Sequence, residues 1–325
     1  MANLNNNNNT FYLAFKDVHP SWSLIGCALP LGIISIFGII FNFCLIYVTI
    51  RSKSLHGTVN YILALYSFME LLHQHGNFLF VYTAFSGQNF IEYRLAVKIK
   101  LLSAFGLGGN YPTMFFTGID RLIELTFDEM KSKRKIRLYL ATVTAICCMF
   151  SLELCISLYQ KMEVYGDQMV TGTFTDFFKG ASHHTIIWLF FIFMTCCIIY
   201  LILGILIKIK SAGLPSANQI KWRTFRSLFC IIFINIGGYF IASINQLLIM
   251  RYISSPITAW FVQLLTAVPL NIGAASNGPI LYITSTEYRQ AFQTNFPFIF
   301  KRISAQNRTV QQQNVQPLGL NTTKC

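Results

Sequence analysis

Long apolar blocks separated by short polar stretches set the pattern of this chain. They show neither the two-residue alternation of a half-buried strand nor the narrow 3.6-residue stripe of a soluble surface helix. Residues 22–50, 101–119, 186–207, 227–250 and 257–286 contain no charged side chain. Residues 61–85 and 138–159 are apolar blocks with one acid each, Glu70 and Glu153, both read as buried. A helix needs about 20 apolar residues to cross the hydrocarbon core of a bilayer. Within lipid the backbone must satisfy its own hydrogen bonds, so each block predicts a helix. The expected fold is an all-α integral membrane protein, a seven-transmembrane-helix bundle.

Composition agrees. Of the 325 residues, 54% are hydrophobic and 11% charged, and the mean hydropathy is +0.51. That is too little charge to clothe a globular surface in water, where roughly 25% is usual. The polar first twenty residues, with an Asn run, do not look like a cleavable signal, so the first block is expected to serve as its own insertion signal.

Charge sets the direction. With the N-terminus outside, the inner segments hold 18 of the 25 Lys and Arg, and the outer ones hold Lys16, Arg94, Lys98, Lys100, Lys161, Lys179 and Arg251. The positive-inside rule therefore places the C-terminus in the cytoplasm. The net charge of +13 then faces anionic lipid, not nucleic acid. The expected organisation is an extracellular segment 1–21, a membrane domain 22–286, a short amphipathic helix 287–295 and a disordered cytoplasmic tail 296–325. Asn8 opens a glycosylation sequon on the outer segment. The nine cysteines fall within the spans or at the C-terminus, so no external disulfide is expected. No spacing points to a metal, a cofactor or an enzyme's nucleophile.

Several polar residues stand out against this background. The third block ends in Gly118-Ile119-Asp120-Arg121-Leu122, where Asp120 offsets an Arg at a helix end. The seventh contains Asn277-Gly278-Pro279-Ile280-Leu281-Tyr282, in which Pro279 removes a backbone donor and Tyr282 can turn inward. Tyr288 and Phe292, four apart, share one face of the short helix that follows. Asn42, Glu70 and Asn110 are polar within their blocks and read equally as a structural polar network or a site for a regulatory sodium ion.

These elements resemble those of rhodopsin-like G-protein-coupled receptors. Ile119-Asp120-Arg121-Leu122 together with Ser285-x-Glu287-Tyr288-Arg289-x-x-Phe292 is most similar to the nematode serpentine chemoreceptors of the Srsx class, over about 24–292. The resemblance implies a plasma-membrane receptor that passes binding of an extracellular ligand to a cytoplasmic heterotrimeric G protein. It gives Asp120, Arg121, Asn277, Pro279 and Tyr282 to coupling and activation. The chain departs from the pattern in four places. The Cys at the outer end of helix three and its loop partner are missing, and helix five lacks its Pro. Helix six has Gly237-Gly238-Tyr239 in place of Trp-x-Pro, so the Gly pair is expected to bend it. Gly106, Gly108, Gly109 and Pro112 are expected to soften helix three.

The position where amine receptors carry an Asp is Ser103, so an amine lacks its counter-ion. The expected ligand pocket draws on Ser103, Tyr239, Trp260 and Gln263, with His75, Phe105, Tyr82 and Tyr252 nearby. Lys100 either binds an acidic group or snorkels to the interface. An odorant, a pheromone-like molecule and a short peptide all remain open as ligands. The rival functions are a transporter or channel, though no inverted repeat is visible, and a receptor-like protein that does not signal.

Overall fold

The structure is a computed structural model. It describes residues 10–126, 133–178, 183–211, 233–242, 244–245 and 252–298. Asn8, the basic residues Lys221, Arg223 and Arg226, and the tail beyond residue 298 lie outside the described residues.

Helix α1 is Trp22–Arg51. A 3-10 turn, Lys53–Leu55, leads to α2, Thr58–His75, and α3, Asn77–Phe85. Strand β1, Ile91–Glu92, runs directly into α4, Tyr93–Thr126. Then come α5 (Lys133–Tyr165), β2 (Met169–Val170), α6 (Phe174–Phe178) and α7 (His183–Ser211). Helix α8 is described over Phe233–Ala242, α9 is Pro256–Thr284 and α10 is Thr286–Asn295. The last two begin on serine caps. Ser255 Oγ accepts from the Thr258 amide and Ser285 Oγ from the Tyr288 amide, each satisfying a donor that the first helical turn leaves free.

By length and hydropathy alone, three of the described helices can cross a bilayer: Trp22–Arg51, Arg134–Tyr165 and Pro256–Thr284. The other blocks fall short for local reasons. The block at 61–85 is two helices, because the chain breaks at Gly76 between α2 and α3. Helix α4 is diluted by Arg94, Lys98, Lys100 and its Gly, Asn and Thr residues. The block at 227–250 is described only in part.

The bundle's exterior is apolar and its interior partly polar. Trp22 is 75% exposed, and Ile36, Phe43, Met149 and Leu201 also face outward. Ser35, Asn42, Thr49, Ser67, Glu70, Asn110 and Asn277 are fully buried. In water this arrangement would leave the apolar rows unpaid for by any burial; with lipid as solvent it is the expected one. Glu153 departs from expectation: it lies on the exposed face of α5, not inside the bundle.

Helix α4 is the hub, packing against α2, α5 and α7. Its glycines are contact points, not soft spots. The helix runs unbroken from Tyr93 to Thr126, with Pro112 inside it. A Cβ at Gly106 would overlap the Met69 carbonyl and meet the His73 amide nitrogen at 2.6 Å, and one at Gly108 would lie 2.9 Å from Ser151 Cα. Gly238 plays the same part elsewhere. Residues 233–242 are continuously helical, and a Cβ at Gly238 would sit 2.7 Å from Leu270 Cα of α9. Gly278, the residue inserted between Asn277 and Pro279, lets α1 approach, since a Cβ there would meet the Phe41 carbonyl at 3.0 Å.

The face that Tyr288 and Phe292 share on α10 is turned into the bundle. Both are buried with Leu45, Val48 and Leu55, and Tyr288 Oη lies 3.4 Å from Thr49 Oγ1.

Candidate functional site

At the end of the bundle that carries the N-terminus, the loop between α5 and α7 folds back over the helices. Its strand β2 pairs antiparallel with β1, Ile91 opposite Val170 and Glu92 opposite Met169. The ladder continues into α4. The Tyr93 amide donates to the Gln168 carbonyl at 2.8 Å and the Arg94 amide to Gly166 at 3.1 Å. Arg94 and Asp167 add an exposed pair at 3.6 Å, which contributes little. Backbone pairing thus ties this loop to the start of α4, the place where the sequence lacks a cysteine bridge.

Buried polar bonds anchor the loop more deeply. Asp176 Oδ2 accepts from the Thr171 amide at 2.9 Å and from Thr171 Oγ1 at 2.6 Å. Its Oδ1 accepts from Trp260 Nε1 of α9 at 3.3 Å. Thr83 Oγ1 donates to the Thr171 carbonyl at 2.6 Å. Removing the Asp176 carboxylate would leave these buried donors unmatched, at a cost of about 3 kcal/mol. Asp176→Ala is expected to lower the unfolding temperature of the purified protein clearly, with Asp176→Asn, which keeps one acceptor, falling between it and the parent.

The N-terminal segment joins this cap. Residues 10–15 are helical, and Phe11 is buried against Trp260 at 4.8 Å and Phe90 at 5.9 Å between ring centroids. Asn89, at φ 59°, donates its side-chain amide to the Phe15 and Val18 carbonyls, both at 2.8 Å. The left-handed turn is one that Asn tolerates better than most residues. The segment that looked simply polar in sequence is therefore partly core.

Below the cap, α6 lowers Phe174 between the helices. Its ring lies 5.1 Å from His73 of α2 and 4.2 Å from Lys100 Nζ of α4. The break at Gly76 makes room. A Cβ there would overlap Ser103 Oγ and come within 3.1 Å of Phe174. Ser103 Oγ donates to the His73 carbonyl at 2.7 Å. Lys100, one position before the apolar block, is 1% exposed and so does not snorkel.

From His73 a line of buried side chains descends through the bundle. His73 Nδ1 lies 3.1 Å from Glu70 Oε2. Glu70 Oε1 lies 2.9 Å from Tyr66 Oη, which also contacts Asn235 Oδ1 at 2.8 Å. Asn235 Nδ2 donates to Asn277 Oδ1 at 3.0 Å, and Asn277 Nδ2 to Asn42 Oδ1 at 3.3 Å. The line ends where Asn42 Nδ2 donates to the Gly38 and Ala274 carbonyls, both at 2.9 Å.

That anchor sets the direction of every bond above it. Carbonyls only accept, so Asn42 presents its oxygen to Asn277, Asn277 its oxygen to Asn235, and Asn235 its oxygen to Tyr66. The one phenolic hydrogen of Tyr66 is therefore shared between two acceptors, Asn235 Oδ1 at 2.8 Å and Glu70 Oε1 at 2.9 Å. Asn110 is buried close by, next to the Tyr239 hydroxyl, which reaches both Asn110 and Glu70. As an oxygen cage for sodium the expected trio does not converge, because Asn42 faces Asn277 while Glu70 faces Tyr66 and His73.

At the opposite end, Asp120 is buried and accepts from Thr58 Oγ1 of α2 at 3.2 Å. Arg121 is half-buried, in electrostatic range of the Tyr200 and Tyr288 hydroxyls. Pro279 sits inside α9, one turn from Tyr282, whose ring meets Phe292 edge-on at 6.1 Å. Arg289 Nε donates to the Tyr282 carbonyl at 3.0 Å.

The expected pocket residues separate. Ser103 and Trp260 lie under the cap, on either side of α6, and Gln263 is buried one turn from Trp260 on α9. Tyr239 is deeper, stacked edge-on against Tyr111 at 5.3 Å. Phe105 packs in a separate cluster with Ile62, Met69 and Val143, and His75 bonds back to the Leu72 carbonyl of its own helix. Tyr82 and Tyr252 point outward, Tyr252 with 87% exposure. Tyr66, Asn235, Phe174 and Asp176 were missed. Asn235 and Asp176 carried a signal, a polar residue in an apolar block and an acid in an otherwise uncharged loop turn; the other two did not.

Residues 35–296 match the family described as serpentine type 7TM GPCR chemoreceptor Srsx. The chain belongs to that family. This receptor is therefore a multi-pass membrane protein of chemoreceptor type, and its family is one of receptors, not enzymes. No curated protein matches the receptor's sequence significantly.

Proposed function

We propose that the receptor converts binding of an extracellular ligand beneath the cap into activation of a cytoplasmic heterotrimeric G protein. The N-terminus and cap lie outside, seven spans cross the plasma membrane, and α10 lies along its inner surface as an amphipathic eighth helix. Asn8 is the glycosylated residue of the outer segment. Ser103, Trp260 and Gln263 contact the ligand, with Tyr239 below them.

The observation that carries this reading is the continuous polar line. Phe174 of the cap touches His73, and from there hydrogen-bonded side chains join α2, α8, α9 and α1. Such a line has two arrangements open to it, packed as found or broken where α8 parts from α2. A ligand with unequal affinity for the two can shift the balance. Breaking the Tyr66–Asn235 bond would free α8 to move away from Arg121 and open a cleft for the G protein. Asn277, Pro279 and Tyr282 of α9 transmit the change, and Asp120 holds the end of α4 to α2 until then.

Arg121→Ala, reconstituted with a G protein, is expected to cut nucleotide exchange by about tenfold, equivalent to ~1.4 kcal/mol of coupling, while leaving surface expression unchanged. Exchange equal to the parent's would remove Arg121 from this role.

A further inference from the structure

Among the described residues, Lys100 is a buried cation that the fold leaves without a hydrogen-bond acceptor. Its side chain is buried, and Nζ has no hydrogen-bond partner. It is covered by two rings, Phe174 at 4.2 Å and Phe177 at 5.3 Å. Rings compensate a cation partly, through their electron-rich faces, but fill none of its three N–H directions. The nearest acid, Asp176, is on the same short helix as the rings, and its oxygens already take bonds from Thr171 and Trp260. Both rings hang from five residues, Phe174–Phe178.

We propose that the receptor's ligand is an organic carboxylate that binds under the cap, its acid group on Lys100 and its apolar part in the space of the Phe174 ring. This deepens the receptor reading and rests on it. A carboxylate supplies what the rings cannot, acceptors for the ammonium hydrogens in a site closed to water. An amine would meet Lys100 as a like charge, with Asp176 already committed, and a neutral ligand would leave the cation as it is. Moving Phe174 also withdraws the ring that touches His73, so binding acts directly on the top of the polar line.

The test uses the full chain in nanodiscs of phosphatidylcholine alone, so that no anionic lipid competes. The probe is 3-phenylpropanoate, with 3-phenylpropanamide as its uncharged match. The readout is the rate of reductive methylation of Lys100, followed by mass spectrometry against exposed Lys16. The acid is expected to slow Lys100 by about fivefold at millimolar concentration, and the amide to leave it unchanged. Phe174→Ala, which removes the competing ring, is expected to give the same protection at about tenfold lower acid. Lys100→Met is expected to abolish the acid's stabilisation against heat without lowering the basal unfolding temperature. No protection by the acid in either the parent or Phe174→Ala, or equal protection by the amide, overturns the proposal. Arg121→Ala is expected to keep the protection, so loss of binding and loss of coupling are read separately.

Discussion

Gly106→Ala is expected to destabilise the receptor more than any other single methyl group added to a described helix. The new Cβ would overlap the Met69 carbonyl, and the His73 nitrogen and Leu72 Cβ lie at 2.6 and 2.7 Å. Two of these three neighbours are backbone, so no rotamer change relieves the contact and α2 must move away from α4. Overpacking of this kind costs about 3 kcal/mol, well beyond the ~1 kcal/mol that Ala gains over Gly in helix propensity. It would also displace His73, and with it the contacts to Glu70 and Phe174. Gly26→Ala is the control, since nothing lies within 4 Å of a Cβ there; it is expected to match the parent or exceed it slightly. Thermal unfolding of the three proteins in one detergent checks the pair. An unfolding temperature for Gly106→Ala equal to that of Gly26→Ala would mean that the α2–α4 crossing is not as close as described.

The second large effect concerns Glu70. Glu70→Leu removes the buried polar partner of both Tyr66 and His73 and is expected to cost about 3 kcal/mol. Glu70→Gln is expected to stay within about 1 kcal/mol of the parent, because an amide of the same length still offers Tyr66 and His73 a polar partner. Unfolding temperatures of both variants in one detergent check the contrast, and a Gln variant as unstable as the Leu variant would mean that the amide cannot replace the acid in this line.

The cap bears on how such a receptor keeps this end of its bundle in shape. A disulfide between loop and helix would hold by a covalent constraint on the unfolded chain. Here the same two segments are held by a two-residue strand pair and the bonds to Asp176, with the N-terminal Phe11 packed over Trp260.

Much of the molecule was legible in its sequence. The apolar blocks announced helices in lipid, because periodicity and length are local properties of the chain. Asn42, Glu70 and Asn277 were recognisable as interior residues because a polar side chain in an apolar block must find a partner. Tyr288 and Phe292 were legible as one face from their spacing of four. Which partner each polar residue finds is not local. Tyr66 and Asn235 are 169 positions apart and Asn42 and Asn277 are 235 apart, and neither pairing leaves a trace in the spacing of either block. The glycines of α4 looked like weak points for the same reason: flexibility is what a glycine offers alone, and close approach is what it offers beside another helix. Only the packed structure showed which applies. Lys100 shows the limit most clearly. Sequence placed a basic residue at the edge of a membrane block, where snorkelling and anion binding are equally natural. The two rings lowered from α6, more than seventy residues further along the chain, exclude snorkelling by closing the route to water.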